Sequence, residues 1–242
     1  MSKACATREA LRRRRTNQRR RLLLEGGDPY FDNVILLLDF ADGTATDKSN
    51  FEQSTALRTG SSIVTNDSIY GGNSLYVNGT GSGLDITTVD DSWDCGDQDY
   101  TVEMWIRRAA HDVNNYHYDL GFVTAKFYTP TEDPNRQAYY FTSTGGGTDG
   151  PNYGGYVCAY AWTHYAAVRH DGTSYCYVNG VLDFSESRGA GYAPGTSQTV
   201  YLGNTAGGSA GMTGAWFDLV RVTMGVARYP DGTSFTPPES YE

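Results

Sequence analysis

Short apolar runs alternate with clusters of glycine, asparagine and aspartate along most of the chain. In the run Tyr100–Arg107, every second residue from Val102 to Ile106 is apolar, which is the period of a β-strand. Further runs predicted to form strands are Val34–Phe40, Ser74–Asn78, Leu120–Phe127, Gln137–Thr142, Tyr156–Ala161, His164–Arg169, Ser174–Val178, Val181–Phe184, Val200–Gly203 and Ala215–Val222. Beyond residue 25 no segment has a helical period, so the pattern predicts an all-β chain.

Two dipeptides predict tight turns between neighbouring strands. Asp171-Gly172 supplies the positive φ angles of a type I′ turn, and this turn would place Ala167 opposite Cys176. Asn179-Gly180 offers a second turn of the same kind. The glycine-rich stretches 145–150 and 203–214 are expected to be loops between strands.

Length and composition favour a single sandwich domain. The chain has 242 residues, with 29 glycines and 19 tyrosines, and all-β sandwiches of this length form one domain. The four cysteines show no CxxC spacing, so we expect free thiols in a reducing compartment. The longest apolar run, Val34–Leu38, is far shorter than a membrane span, so we expect no membrane insertion.

Charge divides the chain into two parts. The first 25 residues hold nine basic and two acidic side chains, a net charge of +7, and the remainder holds 10 basic and 26 acidic ones, a net charge of −16. We therefore expect a basic arm at 1–29 and an acidic β-sandwich at 30–242. The residues expected to anchor the arm are Arg12, Arg13, Arg14, Arg15, Arg19, Arg20, Arg21, Leu22, Leu23 and Leu24.

The arm has three interpretations. It could neutralise nucleic-acid phosphates, dock in an acidic groove of a protein assembly, or serve as a solvated tail. Through Arg21 it has eight arginines and one lysine, which favours fixed, multidentate contacts. The Leu22–Leu24 run favours a protein surface, because nucleic acid offers no apolar pocket.

Several segments, in order, carry a resemblance to a known family. They are Thr101–Arg107, His164–Gly172, Tyr177–Leu182, Val200–Gly203, Phe217–Val222, Gly225–Tyr229 and Phe235–Pro238. Together they resemble the laminin-G-like or concanavalin-A-like jelly-roll domains of tailed-bacteriophage proteins, over about residues 28–238. The resemblance implies an antiparallel β-sandwich jelly roll. It is much less specific for function.

Related glucanases use an E-x-D-x-x-E strand, because the acid and the nucleophile must project together from one face. Glu103 is followed by Met104 and Trp105, and no carboxylate stands at the required spacing. Nor does the chain contain a G-x-S-x-G elbow or a Walker loop. We therefore expect no enzymatic activity, and Glu103 is interpreted as a solvent-facing or hydrogen-bonded strand residue.

The resemblance also implies calcium at the edge of the sandwich. Asp218 is the best candidate ligand, with Asp47 as a second, and backbone carbonyls would complete the site. A hydrogen bond at a turn or at a strand end is the alternative role for Asp218. His111 and His117, with Asp112 and Asp119, match no zinc spacing, and their segment is interpreted as a solvated loop. No other cofactor is expected.

Tyrosines predicted to lie in or beside long loops could form a ligand or partner surface, since tyrosine joins an apolar face to a polar tip. They are Tyr116, Tyr118, Tyr139 and Tyr153.

The combined expectation is a structural protein of a phage virion, assembled in the host cytoplasm and present in multiple copies. A capsid decoration or auxiliary protein, bound to other capsid or tail proteins through its arm, fits best. The alternative is a tail-fibre or tail-associated adhesin that binds host-surface carbohydrate. A glycoside hydrolase is a weaker alternative.

Overall fold

The computed structural model describes residues 27–65, 67–69, 72–88, 91–94, 96–109, 115–120, 123–127, 136–142, 148–156, 160–187, 199–205, 207–209 and 211–239. The predicted anchoring residues of the arm, from Arg12 to Leu24, lie outside this part. Among the described residues, no helix has the length and apolar character needed to cross a membrane.

The described residues form strands joined by turns and two short 3-10 segments. The strands are β1 (Val34–Leu38), β2 (Ser54–Leu57), β3 (Ser61–Thr65), β4 (Asn73–Asn78), β5 (Leu84–Thr87), β6 (Tyr100–Arg108), β7 (Asn115–Asp119), β8 (Val123–Phe127), β9 (Arg136–Thr142), β10 (Thr148–Tyr156), β11 (Thr163–His170), β12 (Thr173–Val178), β13 (Val181–Ser187), β14 (Thr199–Leu202) and β15 (Thr213–Met224). The 3-10 segments are Phe31–Asn33 and Asp91–Trp93.

The strands assemble into two antiparallel sheets. The first sheet has the order β13-β12-β11-β6-β15-β4-β3, and β1 pairs with the second half of β15. The second sheet has the order β10-β9-β8-β7-β14-β5-β2. This architecture confirms the predicted all-β sandwich.

The core lies between the two sheets, and in β6 it follows from the alternation of apolar side chains along the strand. Val102, Met104 and Ile106 of β6 pack in one apolar cluster with Phe217 of β15 and Leu202 of β14. A buried apolar side chain of this size contributes about 1.5–3 kcal/mol to folding.

Both predicted turns are confirmed. Asp171 and Gly172 have φ angles of 44° and 74°, and Ala167 pairs with Cys176 as expected. Asn179-Gly180 also turns with positive φ angles, 50° and 74°, and connects β12 to β13. Cys176 is a buried residue of β12 and forms no disulfide with a residue that the structure describes.

Other local predictions differ from the structure. The expected loop at 145–150 overlaps β10, which begins at Thr148. In the expected strand Tyr156–Ala161, Tyr156 is the one described residue that lies in a strand. The polar strand β2 was not predicted, because its exposed side chains lack the apolar alternation. β10 forms by pairing with β9 despite its glycines and proline, so tertiary pairing overrides propensity there.

The C-terminal segment 225–238 covers the outer face of the first sheet. The Phe235 N–H donates to the Gly180 carbonyl at 2.9 Å, and the Tyr177 hydroxyl donates to the Tyr229 carbonyl at 2.8 Å. The Trp105 indole N–H donates to the Pro238 carbonyl at 3.4 Å. Strands β6, β11 and β12 are therefore buried on both faces where this segment lies.

Candidate functional site

Glu103 lies on the outer face of β6, beneath the C-terminal segment, and its side chain is 0% exposed. Its Oε1 accepts hydrogen bonds from Nε and Nη2 of Arg221 at 2.9 and 2.6 Å. Its Oε2 accepts the hydroxyl of Tyr229 at 2.9 Å and lies 3.4 Å from Nε2 of His164. The interpretation of Glu103 as hydrogen-bonded is confirmed, and the solvent-facing alternative is wrong.

The same cluster captures Asp28, where the chain enters the sandwich. Arg228 donates to both carboxylate oxygens of Asp28, at 2.9 and 2.5 Å, and Arg221 donates to Oδ2 at 3.1 Å. Asp28, Glu103, Arg221 and Arg228 form what we name the buried charge network. It balances two carboxylates against two guanidiniums, as buried ions require.

The network fixes the ionisation of Glu103. Burial alone would raise the pKa of this carboxyl, but the guanidinium of Arg221, together with His164 and Arg228, lowers the pKa to about 2. A carboxylate held ionised and shielded from solvent can neither donate a proton to a substrate nor reach one. Its role is structural.

Asp47 is also a structural residue. Its Oδ1 accepts the N–H groups of Leu37 and Ser49, at 2.8 and 2.9 Å. Its Oδ2 accepts the Ser49 hydroxyl at 2.7 Å and the Gln53 N–H at 2.8 Å. Burial raises the pKa of Asp47, although these hydrogen bonds act to lower it. These four hydrogen bonds occupy the acceptor sites of both oxygens, so calcium at Asp47, which stays a prediction, would have to displace donors that the fold already uses.

Asp218 accepts backbone hydrogen bonds, which was its alternative role, but it lies within β15, where the pairing register with β6 shifts, rather than at the end of the strand. Oδ2 accepts the Ile69 N–H at 3.2 Å, and Oδ1 accepts the Leu219 N–H at 2.8 Å. Burial raises the pKa of Asp218 to about 6, with a smaller contribution from the charge of Asp39. The carboxylates of Asp218 and Asp39 are close enough to interact, and such a pair is compatible with a bound cation. Calcium at Asp218 therefore stays a prediction.

Within the part of the chain that the structure describes, one group of three metal-ligating side chains lies close together, Asp99, His170 and Asp171. Nδ1 of His170 is 2.8 Å from Oδ2 of Asp99, and Nε2 is 3.6 Å from Oδ2 of Asp171. The Asp171 N–H donates to Oδ1 of Asp99 at 3.1 Å. These contacts fasten the β11–β12 turn to the segment before β6.

Two expectations about β7 are wrong. Tyr118 is 2% exposed and belongs to the core cluster, so it cannot contribute to a recognition surface. His117 is 0% exposed in a strand rather than in a solvated loop, and burial lowers its pKa well below the usual value, with a further effect from Arg108. The side chains of Tyr116, Tyr139 and Tyr153 lie outside the described residues.

A row of side chains that sequence reasoning missed crosses the outer face of the first sheet. Trp216 of β15 pairs in register with Tyr76 of β4 on one side and with Arg107 of β6 on the other. Trp162, just before β11, lies beyond Arg107. We name Tyr76, Trp216, Arg107 and Trp162 the outer row. All four residues are half-buried.

Contacts within the outer row are close. The rings of Tyr76 and Trp216 have centroids 4.9 Å apart and planes inclined by 41°. Cζ of Arg107 lies 4.2 Å from the Trp216 ring centroid and 5.7 Å from that of Trp162. Arg107 also forms an ion pair with Asp67. The available sequence signal for the outer row was an aromatic residue at an outward-facing position in each of the predicted strands Ser74–Asn78 and Ala215–Val222. Only the register of the sheet places these residues next to each other.

The profile of the concanavalin A-like lectin/glucanases superfamily matches residues 78–224, more than half of the chain. The chain belongs to this superfamily. The match spans β5 through β15 and therefore includes Glu103, Arg221 and most of the outer row. No curated protein sequence matches the chain significantly.

Solved structures share the superfamily fold at low sequence identity. The binding domain of Paraclostridial Mosquitocidal Protein 1 is 15% identical, with a TM-score of 0.62, over 86% of this chain and 50% of that one. The receptor binding domain of botulinum neurotoxin C/D mosaic serotype is 11% identical, with a TM-score of 0.61, over 85% and 49%.

A third structure is the binding domain of botulinum neurotoxin DC in complex with rat synaptotagmin II. It is 12% identical, with a TM-score of 0.61, over 85% of this chain and 49% of that one. The chain thus spans about half the length of these binding domains. At these identities the likeness establishes the fold alone.

Proposed function

We propose that the chain is a non-enzymatic, lectin-like surface module of a phage virion, a capsid decoration or auxiliary protein held on the particle by its basic arm. The observation that carries this proposal is the attachment of Asp28 to the buried charge network. The arm joins the body at a residue tied by Arg228 and Arg221 to the central strands. A force applied to the arm would therefore be carried by the central strands of the sandwich.

The state of Glu103 supports the non-enzymatic part of the proposal. Glycoside hydrolysis needs two accessible carboxyl groups on one face. The carboxylate on β6 is instead buried and ion-paired with Arg221. Turnover of soluble polysaccharides by the full chain would contradict this part.

A second candidate function is a tail-associated adhesin that binds host-surface carbohydrate. Two observations favour it: the outer row presents aromatic side chains to solvent, and the structural neighbours are binding domains of toxins. We also propose that Asp218 binds calcium. The proposed partners are virion proteins for the first candidate function and host glycans for the second.

Deletion of residues 1–25 tests the attachment. We expect the truncated chain to fold with an unchanged unfolding temperature but to be absent from particles assembled in cells that supply only this variant. A matched variant with every arm arginine replaced by lysine keeps the net charge and loses the bidentate guanidinium contacts. Partial incorporation of the lysine variant is expected, and normal incorporation of the truncation would refute the anchoring role.

A further inference from the structure

One side of the sandwich ends in two strands that each have a single neighbour. Among the strands that the structure describes, β3 is the last strand of the first sheet and pairs with β4 alone. In the same way, β2 is the last strand of the second sheet and pairs with β5 alone. Residues 58–60 connect β2 directly to β3, so the two edges lie on the same side of the molecule.

The hydrogen-bond ladder between β3 and β4 shows which backbone groups of β3 it uses. The Asn78 N–H donates to the Gly60 carbonyl at 3.2 Å, just before β3 begins. Such bonds recur at every second residue of an antiparallel strand. Ser62 and Val64 therefore direct their N–H and C=O groups toward β4.

The other residues of β3 direct their backbone groups away from the sheet. They are Ser61, Ile63 and Thr65, which stand at the non-hydrogen-bonded positions of the ladder with β4. The Ser61 N–H donates to the Arg58 carbonyl at 3.0 Å. The Ser61 carbonyl, both backbone groups of Ile63 and the Thr65 N–H thus face the edge, where a further strand can pair with them.

Strand β3 lacks the features that keep edge strands apart. Its sequence, Ser61–Thr65, contains no charged residue, proline or glycine, and it ends in a run of β-branched residues. Natural edge strands are commonly blunted by charged side chains, prolines or bulges. This strand is instead a regular segment with high β-propensity.

The charges next to β3 allow two like molecules to approach. Arg58, which precedes β3, pairs with Asp85 at 2.5 Å between Nε and Oδ1. Asp67, which follows β3, pairs with Arg107. These compensated pairs offer no net charge to a partner of opposite sign, and they do not repel a second copy of the same chain.

The strands on the opposite side of the sandwich are protected. There β13 and β10 are the last strands of the two sheets, and they lie against each other. Strand β13 contains Asp183 and Glu186, and β10 contains Pro151 and shifts in register against β9. Charges, prolines and bulges are the devices that prevent pairing between edges. The contrast distinguishes the side of β2 and β3 as the one open to a further strand.

An exposed apolar side chain lies on the same side. Leu57 ends β2 and pairs in register with Leu84, which is buried in the core. Leu57 itself is 44% exposed, because none of the described strands covers the outer edge of β2. Ile63 of β3 is partly buried against the core. A second molecule at this edge would remove more apolar surface of both residues from water.

We infer that β3 pairs with β3 of a second copy of this chain across a two-fold axis at Ile63, which joins the two first sheets into one antiparallel sheet. Identical strands related by such an axis run antiparallel, and the surface is its own complement. In this register Ile63 exchanges both backbone hydrogen bonds with Ile63 of the partner subunit, and the Thr65 N–H reaches the carbonyl of Ser61 of the partner subunit.

The inference goes beyond the proposed function and does not depend on it. Because the pairing strands are short, the contact is smaller than a standard interface of about 800 Å² per side, and we expect a dissociation constant on the order of micromolar.

Sedimentation equilibrium of the full chain measures this association. The basic arm could also link copies by binding the acidic body, so the measurement is made in about 1 M NaCl, where the Debye length falls to about 3 Å. Backbone pairing and apolar contact do not depend on unscreened charge. We expect the mass of two chains. The mass of one chain at about 0.1 mM would overturn the inference.

A pair of lysines at either edge of the first sheet provides a matched comparison. Ser62 and Thr65 are exposed on β3, and Ser185 and Ser187 are exposed on β13. S62K/T65K brings like charges together around the two-fold axis and should raise the dissociation constant at least about tenfold. S185K/S187K adds the same charge at the opposite edge and should leave the dissociation constant unchanged. Equal effects of the two variants, or no effect of S62K/T65K, would contradict pairing through β3.

Amide hydrogen exchange of the wild-type chain covers the case in which a lysine variant fails to fold. The amides of Ile63 and Thr65 should become protected as the chain concentration rises through the dissociation constant, because pairing engages their N–H groups. The amides of Ser62 and Val64, which already point toward β4, serve as internal controls and should show no such dependence. An exchange rate of the Ile63 amide that is independent of concentration would refute the pairing.

Discussion

Replacement of Glu103 by glutamine tests the buried charge network most directly. The substitution keeps the size of the side chain and removes its charge, so that Arg221 and Arg228 are left with Asp28 as their one carboxylate partner within the network. A buried charge that loses its partner is strongly destabilising.

The magnitude follows from the ionisation of Glu103. Its pKa falls from 4.5 to about 2 in the folded state, and each pKa unit corresponds to about 1.4 kcal/mol. The ionised carboxylate therefore stabilises the fold by about 3 kcal/mol at neutral pH. This free energy lies at the lower end of the loss of about 3–5 kcal/mol in stability that follows when a buried ion pair loses one partner. For a domain of this size, the unfolding temperature of E103Q should fall by about 6–12 °C.

Urea denaturation followed by tryptophan fluorescence measures this loss at neutral pH and again at acidic pH. Because the folded-state pKa is depressed, the contribution of Glu103 is complete above the unfolded pKa of 4.5 and disappears as pH falls toward about 2. The stability gap between wild type and E103Q should therefore close over this window. Carboxylates outside the buried charge network titrate in both proteins and cancel in the difference.

Two controls sharpen the experiment. Asp85→Asn breaks the half-exposed pair with Arg58, whose Nε lies 2.5 Å from Oδ1, and should lose less than about 1 kcal/mol. The double variant E103Q/R221M removes the uncompensated guanidinium and should recover much of the stability lost in E103Q. A gap below about 1 kcal/mol between E103Q and wild type, or a gap independent of pH, would refute the reasoning.

The remaining predictions concern Asp218 and the C-terminal segment. Because the folded pKa of Asp218 is raised to about 6, its neutral form favours folding below the unfolded pKa of 3.8, and this contribution is lost as pH rises through 6. In thermal unfolding, Asp218→Asn should therefore gain stability relative to wild type as pH rises from about 3.8 through about 6, whereas a pH-independent difference contradicts this. Calcium should raise the unfolding temperature of wild type but not of this variant; an equal response in both removes Asp218 from the predicted site.

Gly180 has a φ of +74°, and Gly180→Ala would place a Cβ 1.9 Å from the Phe235 carbonyl oxygen. This substitution should detach the C-terminal segment, which limited proteolysis would detect as cleavage beyond residue 225. Gly79→Ala, at a φ of +89° with nothing within 4 Å, should lose only about 1 kcal/mol and leave the segment protected. Phe235→Ala removes the ring stacked on Tyr229 at 3.5 Å and should lower stability by about 2 kcal/mol in urea denaturation.

Local signals determined much of the fold. The positive φ angles available to Asp171-Gly172 set the register of β11 against β12, and the period of β6 assigned Val102, Met104 and Ile106 to the core. The glycine-containing strand β10 and the polar strand β2 carry no such signal, because they are held by backbone pairing with β9 and β5 rather than by an apolar pattern of their own side chains.

The amino-acid sequence by itself determined the fold class, the turns and the division of charge between arm and body, since each depends on residues close together in the chain. Only the tertiary structure decided the neighbours of each outward-facing side chain. Glu103 and Arg221 are 118 residues apart, and Asp28 and Arg228 are 200 apart. The outer row draws its side chains from separate strands. These contacts depend on strand order and register, which the packing of the whole core selects and no local pattern encodes.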